Sequence, residues 1–199
     1  MADYTKRSIN NTFRKMLKTQ KVGPITVKSI ADACAISRNT FYYHYDSLTA
    51  LLEAELELWF AGCSSNTRSL TGCIDPFISA SIAHKTEIAR ISSSGLDPIF
   101  CQFLGLRIHE IVTSFLQKRL EESASMPTEE MKVKYAILSH FCTSAIVYSF
   151  IGWIHRGMRY DIKAFITTLD SLAKTGTLPS LNGEQMKCVS ESLKRGLPL

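Results

Sequence analysis

Apolar residues recur every three or four positions along most of the chain, and this spacing constrains the fold more than any other feature. Near the N-terminus, Ile9, Phe13, Met16 and Leu17 form one stripe at i, i+4, i+7 and i+8, which is the period of an α-helix. The strict alternation that is typical of strands is scarce. The sequence therefore predicts an all-α protein.

Caps and breakers predict where the helices begin and end. A first helix is expected over 5–19, and three more are expected after the N-caps Thr26, Ser37 and Ser47. Breaks are predicted over 62–76, 123–127 and 176–183, where Gly, Ser, Asn and Pro gather. The remaining helices are predicted over about 77–93, 97–122, 129–157 and 161–174, with a final amphipathic segment over 184–194.

The positive charge of the 199-residue chain is concentrated at one end. Residues 1–48 carry eight basic and three acidic side chains, and their net charge of +5 equals the excess of the whole chain. This asymmetry indicates a polyanion-binding segment attached to an electrically neutral body. The alternative interpretation is a basic surface that is merely solvated.

Cysteine usage and hydropathy favour a cytoplasmic protein. None of the six cysteines forms a C-x-x-C pair, and no signal peptide is recognisable, so reduced thiols are expected. The 21 residues from 135 to 155 contain no Asp, Glu, Lys or Arg, and this length is sufficient to span a bilayer. Because the stretch contains two histidines and several hydroxyl side chains, we expect a buried helix and no membrane span.

Residues 25–52 have the pattern of a helix-turn-helix unit, with a turn at Ala35-Ile36. Phe41 and Tyr45 share one face of the short second helix and are expected to anchor it. The opposite face is polar, and Arg and Asn side chains bind guanine and adenine bidentately in the major groove. Helix N-termini and hydroxyl groups contact phosphate. The predicted DNA-binding residues are Thr26, Lys28, Ser37, Arg38, Asn39, Thr40, Tyr42, Tyr43 and His44.

The same segment resembles the signature of the TetR-type (tetracycline-repressor-like) family of regulators. The resemblance rests on Ile25-Thr26-Val27, Ile30-Ala31, the run from Ser37 to Tyr45, and Leu51-Leu52, about a quarter of the chain. Two departures are Ala35, where the family usually has Gly, and Leu48, where Lys is common. Since Ala disfavours a positive φ, a different turn geometry is expected at position 35.

The resemblance implies a homodimeric transcription regulator, by family habit a repressor, that binds double-stranded DNA at a palindromic operator. It implies a DNA-binding domain over 1–48 and a helical regulatory and dimerisation domain over 49–199. In the family the larger domain often binds a small molecule that releases the DNA. A helical adaptor controlled by a partner protein is the alternative function.

The dimer interface is expected on the uncharged stretch and on the helix that follows it, because an almost entirely apolar helix needs cover on more than one side. The candidate residues are Phe141, Tyr148, Ile151, Trp153, Ile154, Ile162, Phe165, Ile166 and Leu169. The alternative is that they fill the core of a single chain.

An effector pocket calls for aromatic side chains with scattered polar groups. The candidates are Trp59, Cys63, Phe77, His84, Phe100, Cys101, Phe103 and His109, each of which could equally be ordinary core. The histidines His84, His109, His140 and His155 lack metal-ligand spacing, so no metal site is predicted. No cofactor is predicted, and the sequence has no G-x-S-x-G, P-loop or H-E-x-x-H motif that would indicate an enzyme.

Overall fold

The computed structural model describes residues 2–19, 23–63, 69–123 and 128–175, and these residues form helices and turns with no strand. The predicted all-α class is therefore confirmed. The helices are α1 (Ala2–Lys18), α2 (Val27–Ala33), α3 (Arg38–His44), α4 (Leu48–Trp59), α5 (Leu70–Ala83), α6 (Lys85–Ser93), α7 (Asp97–Ser123), α8 (Glu129–His155) and α9 (Lys163–Thr175).

The largest departure from the predicted helix bounds lies in α5 and α6. The predicted loop up to Pro76 is wrong, because α5 already begins at Leu70. The Leu70 N–H donates to the buried carboxylate of Asp170 at 2.8 Å, so a residue of α9 caps this helix from 100 positions along the chain. The single helix predicted over 77–93 is also wrong, since it is interrupted at His84.

The other predicted bounds lie close to the observed ones, within the part of the chain that is described. The final amphipathic segment, 184–194, and the break at 176–183 lie outside the described residues, as does most of the break at 123–127.

The chain forms two compact units. The first comprises Met1–Ala61 and Ala83–Phe103, and the second comprises Gly62–Ile82 and Leu104–Leu199. The predicted division after residue 48 differs from this one, because α4 and α6 cluster with the first three helices.

The core of the first unit forms where the predicted stripes meet. Ile9, Phe13 and Leu17 of α1 are fully buried, and α1 packs against α2 and α6. α4 contributes a second apolar face through Leu52 and Leu56. Burial of side chains of this size stabilises a fold by about 1.5–3 kcal/mol each, so these stripes hold the short helices in place.

The core of the second unit is formed by the longer helices. Ile108 and Val112 of α7 are fully buried, and so are Ile146 and Phe150 of α8. α8 packs against α9, and the indole Nε1–H of Trp153 donates to a backbone carbonyl at 2.8 Å just before α9. This hydrogen bond satisfies the one polar group of a large buried side chain.

Two helical stretches in the described part, Asp97–Arg119 and Ala136–His155, are long and apolar enough to cross a bilayer. In each, 44% of the most apolar window is buried within the chain. Core helices of soluble proteins meet the same criteria. The expectation of a buried helix and no membrane span therefore stays a prediction.

Candidate nucleic-acid interface

The start of α2 is held by a reciprocal cap. The Thr26 hydroxyl oxygen accepts from the Ser29 N–H at 3.1 Å, and the Ser29 hydroxyl oxygen accepts from the Thr26 N–H at 3.0 Å. The cap leaves Thr26 and Lys28 exposed. Thr26 is therefore a cap, and its exposed position is compatible with the phosphate contact that was predicted.

The turn between α2 and α3 closes with a Schellman motif. The Ile36 N–H donates to the Ala31 carbonyl at 3.0 Å, and the Ala35 N–H donates to the Asp32 carbonyl at 3.2 Å. Ala35 has a φ of +53°, the left-handed conformation that favours glycine. The expectation of a different turn geometry is thus wrong: the glycine-type turn forms with alanine in it.

Two aromatic side chains anchor α3 to the core, as predicted. Phe41 is fully buried, and Tyr45 at the C-cap is nearly so. The Tyr45 hydroxyl donates to the Asn10 side-chain oxygen at 2.6 Å, which links the end of α3 to α1. Lys6, which also belongs to α1, places its ammonium group 5.4 Å from the centre of the Tyr45 ring.

The outward face of α3 is polar and aromatic. Arg38 and Asn39 are exposed, Tyr42 is 50% exposed and Tyr43 is 79% exposed. His44 is half-buried and packs edge-on against Tyr43, with ring centres 5.1 Å apart. A seven-residue helix that buries Phe41 therefore presents most of its other side chains to the solvent.

Two hydroxyl groups of the predicted set are used within the helix. The Ser37 hydroxyl oxygen accepts from the Thr40 N–H at 3.0 Å and also bonds the Thr40 hydroxyl at 2.9 Å. Ser37 is exposed and Thr40 is half-buried. These two residues cap α3, and Arg38, Asn39, Tyr42 and Tyr43 form its free surface.

A partly buried ion pair in the first unit was missed by sequence reasoning. Arg14 donates through Nε to both carboxylate oxygens of Glu55 at 2.8 Å, and the Trp59 indole N–H donates to the same carboxylate at 2.9 Å. Glu55 is buried on the apolar face of α4. A charged residue within a stripe of leucines was the available signal, because a carboxylate in that position requires a partner.

The residues predicted for an effector pocket are divided between the two units. Trp59 and His84 lie in the first unit and stack with ring centres 4.3 Å apart. Phe103 packs against Phe60 at 6.0 Å. Of the other aromatic candidates, Phe77 and Phe100 are buried, and His109 is exposed.

The two thiols of that set are half-buried and held in the protonated form. Burial raises the pKa of Cys101 to about 11, and the carboxylate of Asp97, which accepts from the thiol at 3.6 Å, adds to the shift. Burial also raises the pKa of Cys63 to about 11, against the opposing charge of Arg107. Neither is activated as a nucleophile at neutral pH, since the thiolate is the reactive form.

The residues predicted for dimer contact differ in exposure. Phe141 and Tyr148 are exposed on α8, and Ile151 is half-buried. The others pack in the core of the second unit, which agrees with the alternative interpretation that they fill a single chain. These buried residues are Trp153, Ile154, Ile162, Phe165, Ile166 and Leu169.

Comparison with known proteins adds no relative: no protein-family model matches the chain, and neither the curated proteins nor the solved structures contain a match.

Proposed function

We propose that the chain is a DNA-binding transcription regulator that acts as a homodimer on a palindromic operator. The observation that carries the proposal is the surface of α3. Phe41 and Tyr45 tie this short helix to the core, while Arg38, Asn39, Tyr42 and Tyr43 project from it together. The resemblance of the same residues to the TetR-type signature supports repression as the mode of action.

The chemistry of this surface fits a major groove. Arg38 offers a bidentate guanidinium to guanine, and Asn39 offers its amide to adenine. The Tyr42 and Tyr43 hydroxyls suit phosphate contacts that fix the register of α3 on the duplex. Lys28, exposed in the first turn of α2, adds a cation beside the capped helix end.

A second surface supports dimerisation. Val133, Ile137, Phe141 and Tyr148 follow one another at helical spacing on α8, and all four are exposed. Such a stripe, with Phe141 and Ile137 more than half exposed, is typical of an interaction site. Two copies joined there by a two-fold axis would carry two reading helices, which matches the symmetry of a palindromic site.

The function is tested by selecting DNA sequences that the purified protein retains from a random pool. We expect a palindrome whose half-sites are about one helical turn apart, or a multiple of that distance. Binding should weaken steeply as salt rises, because several phosphates are neutralised in the complex. Recovery of no enriched sequence, with binding that is flat in salt, would support the adaptor function instead.

Substitution identifies the reading helix. Arg38→Ala should weaken binding to the selected site by about 1–3 kcal/mol and relax the preference for guanine. Tyr42→Ala should abolish detectable specific binding while the thermal unfolding curve stays unchanged, since both side chains are exposed. Lys85→Ala removes an exposed cation in the same unit, outside α2 and α3, and is the matched control. If all three variants bound like wild type, α3 would not read the DNA.

A further inference from the structure

The first unit contains a pocket whose lining includes residues of α1, α4 and α6 as well as His84 at the start of α6. Its volume is about 360 Å³, which lies within the range of small-molecule sites. Leu17 and Leu58 give it an apolar part, and the stacked rings of Trp59 and His84 are parallel to within 5°. A planar, apolar ring is the shape that such a wall accommodates.

The cations of the pocket lie on α1 and have donors to spare. Arg14 uses only its Nε on Glu55, so both terminal nitrogens of its guanidinium are without a partner among the described residues. Lys18 is exposed and likewise forms no ion pair in the part of the chain that is described. The Glu55 carboxylate is already held by Arg14 and Trp59. The α1 side of the pocket therefore suits an anionic group.

The opposite charge lies on α6. The Glu87 side chain is only 12% exposed, and the His84 Nδ1 lies 3.9 Å from its carboxylate, which is too long for a hydrogen bond. Because this carboxylate has little contact with solvent and no close partner among the described residues, it favours a ligand that places a hydrogen-bond donor in the pocket. An acid without a donor would be repelled by Glu87 as it is attracted by Arg14 and Lys18.

We propose that this pocket binds a small planar aromatic acid that also carries an amino group. The acid group pairs with Arg14 and Lys18, the ring lies against the Trp59–His84 pair, and the amino group donates to Glu87. The ligand-binding step does not depend on DNA. Only the role of the pocket as an effector site rests on the proposed function. In that role the ligand would act within the first compact unit, which also contains α3.

The test uses 4-aminobenzoate, whose two groups stand at opposite ends of one ring, and the full chain without DNA. The protein has two tryptophans, so two indole N–H signals are expected in a ¹⁵N–¹H NMR spectrum. The signal of Trp59, whose N–H bonds Glu55 at the pocket, should shift saturably with the ligand. The signal of Trp153, which donates to Tyr160 in the second unit, should stay in place. Trp59→Phe assigns the two signals.

Matched ligands and variants divide the site into its parts. Benzoate lacks the amino group and aniline lacks the acid group, and each should bind about tenfold more weakly. Lys18→Gln should weaken 4-aminobenzoate by about tenfold, whereas Lys15→Gln, an exposed cation of the same helix outside the pocket, should leave its binding unchanged. Glu87→Gln should reduce the preference for 4-aminobenzoate over benzoate.

The proposal is overturned if the Trp59 signal does not shift at about 5 mM ligand, a concentration that fills most of a site with submillimolar affinity. It is also overturned if Lys18→Gln binds as wild type does, or if benzoate binds as tightly as 4-aminobenzoate. Since no DNA is present, each of these results leaves the proposed DNA-binding function standing, and a failed DNA selection leaves the pocket standing.

Discussion

The two compact units expose different kinds of side chain. In the first, a seven-residue helix presents an arginine, an asparagine and two tyrosine hydroxyls. In the second, the 27-residue helix α8 presents a stripe of valine, isoleucine, phenylalanine and tyrosine. Because an exposed surface binds what complements its chemistry, the first unit suits a polyanion and the second suits another apolar face. The two units therefore differ in the kind of partner that each surface suits.

The largest effect is expected where a charge enters the apolar stripe. Ile137 is 66% exposed on α8, so Ile137→Asp should leave the folded chain intact, as judged by its circular dichroism. In a dimer joined through this stripe the carboxylate would be buried without a partner, and the dimer dissociation constant should rise at least about a hundredfold. Sedimentation velocity at micromolar concentration measures the change.

The control for this prediction lies on the same unit. Ile82→Asp places the same charge on α5, at an isoleucine that is 54% exposed, and should leave the oligomeric state unchanged. Tyr43→Asp, on the first unit, should weaken DNA binding and leave the dimer intact. A wild-type protein that sediments as a monomer would remove the contrast between the two units.

The difference between the units also explains what the sequence could predict. In the first unit the stripes of α1 and α4 coincide with the buried faces, because short amphipathic helices have one apolar side. α8 is apolar on nearly every side, so its pattern could not indicate which side lies in the core, and only Phe141 and Tyr148 of the predicted dimer residues are clearly exposed.

Other features depended on partners remote in sequence. The start of α5 has a local signal that was overlooked, the Ser69 hydroxyl oxygen that accepts from the Gly72 N–H at 3.0 Å, and a remote one, Asp170 of α9, that no local pattern predicts. The pairing of Arg14 with Glu55 joins α1 to α4 across 41 positions and was not foreseen. At the candidate interface the local signals were sufficient to predict where α2 and α3 begin. Thr26 and Ser37 cap these helices through hydrogen bonds that reach only three residues along the chain.

A smaller effect on stability is expected from substitutions in a turn that occurs in both units. α2 and α8 each end in a Schellman motif, with Ala35 at φ +53° in one and Gly157 at φ +70° in the other. Ala35→Gly should stabilise the protein by about 1 kcal/mol and Gly157→Ala should destabilise it by about 1 kcal/mol, because only glycine adopts this conformation without strain. A Cβ at Gly157 would meet no atom closer than 3.8 Å, so the cost there is one of backbone conformation.

The cap amides allow both changes to be measured locally. Hydrogen exchange at Ile36 should slow in Ala35→Gly, and exchange at Met158 should quicken in Gly157→Ala, since these N–H groups close the two motifs. Ala33→Gly is the matched control, because glycine in the last turn of α2 should cost about 1 kcal/mol. If Ala35→Gly were as destabilising as Ala33→Gly, the left-handed turn would be refuted.

The smallest effect concerns two thiols that reach the same pKa of about 11 for different reasons. In the first unit the charge of Asp97 raises the pKa of Cys101 further, whereas in the second the charge of Arg107 lowers the pKa of Cys63. The thiolate fraction grows with pH, so alkylation of both thiols should still accelerate above pH 9.0, the ordinary pKa of a cysteine, and level off only above pH 11.

Removing each charge should therefore move the two thiols in opposite directions. At pH 8 the thiolate is scarce, and the rate of alkylation follows the pKa directly. Asp97→Asn should lower the pKa of Cys101 and speed its alkylation by about threefold, and Arg107→Gln should raise the pKa of Cys63 and slow its alkylation by a similar factor. Mass spectrometry of iodoacetamide-treated protein follows each thiol separately, and in each variant the other thiol is the control. Rates that stayed the same in both variants would show that burial alone sets both pKa values, and that the nearby charges have no effect on the chemistry of either thiol.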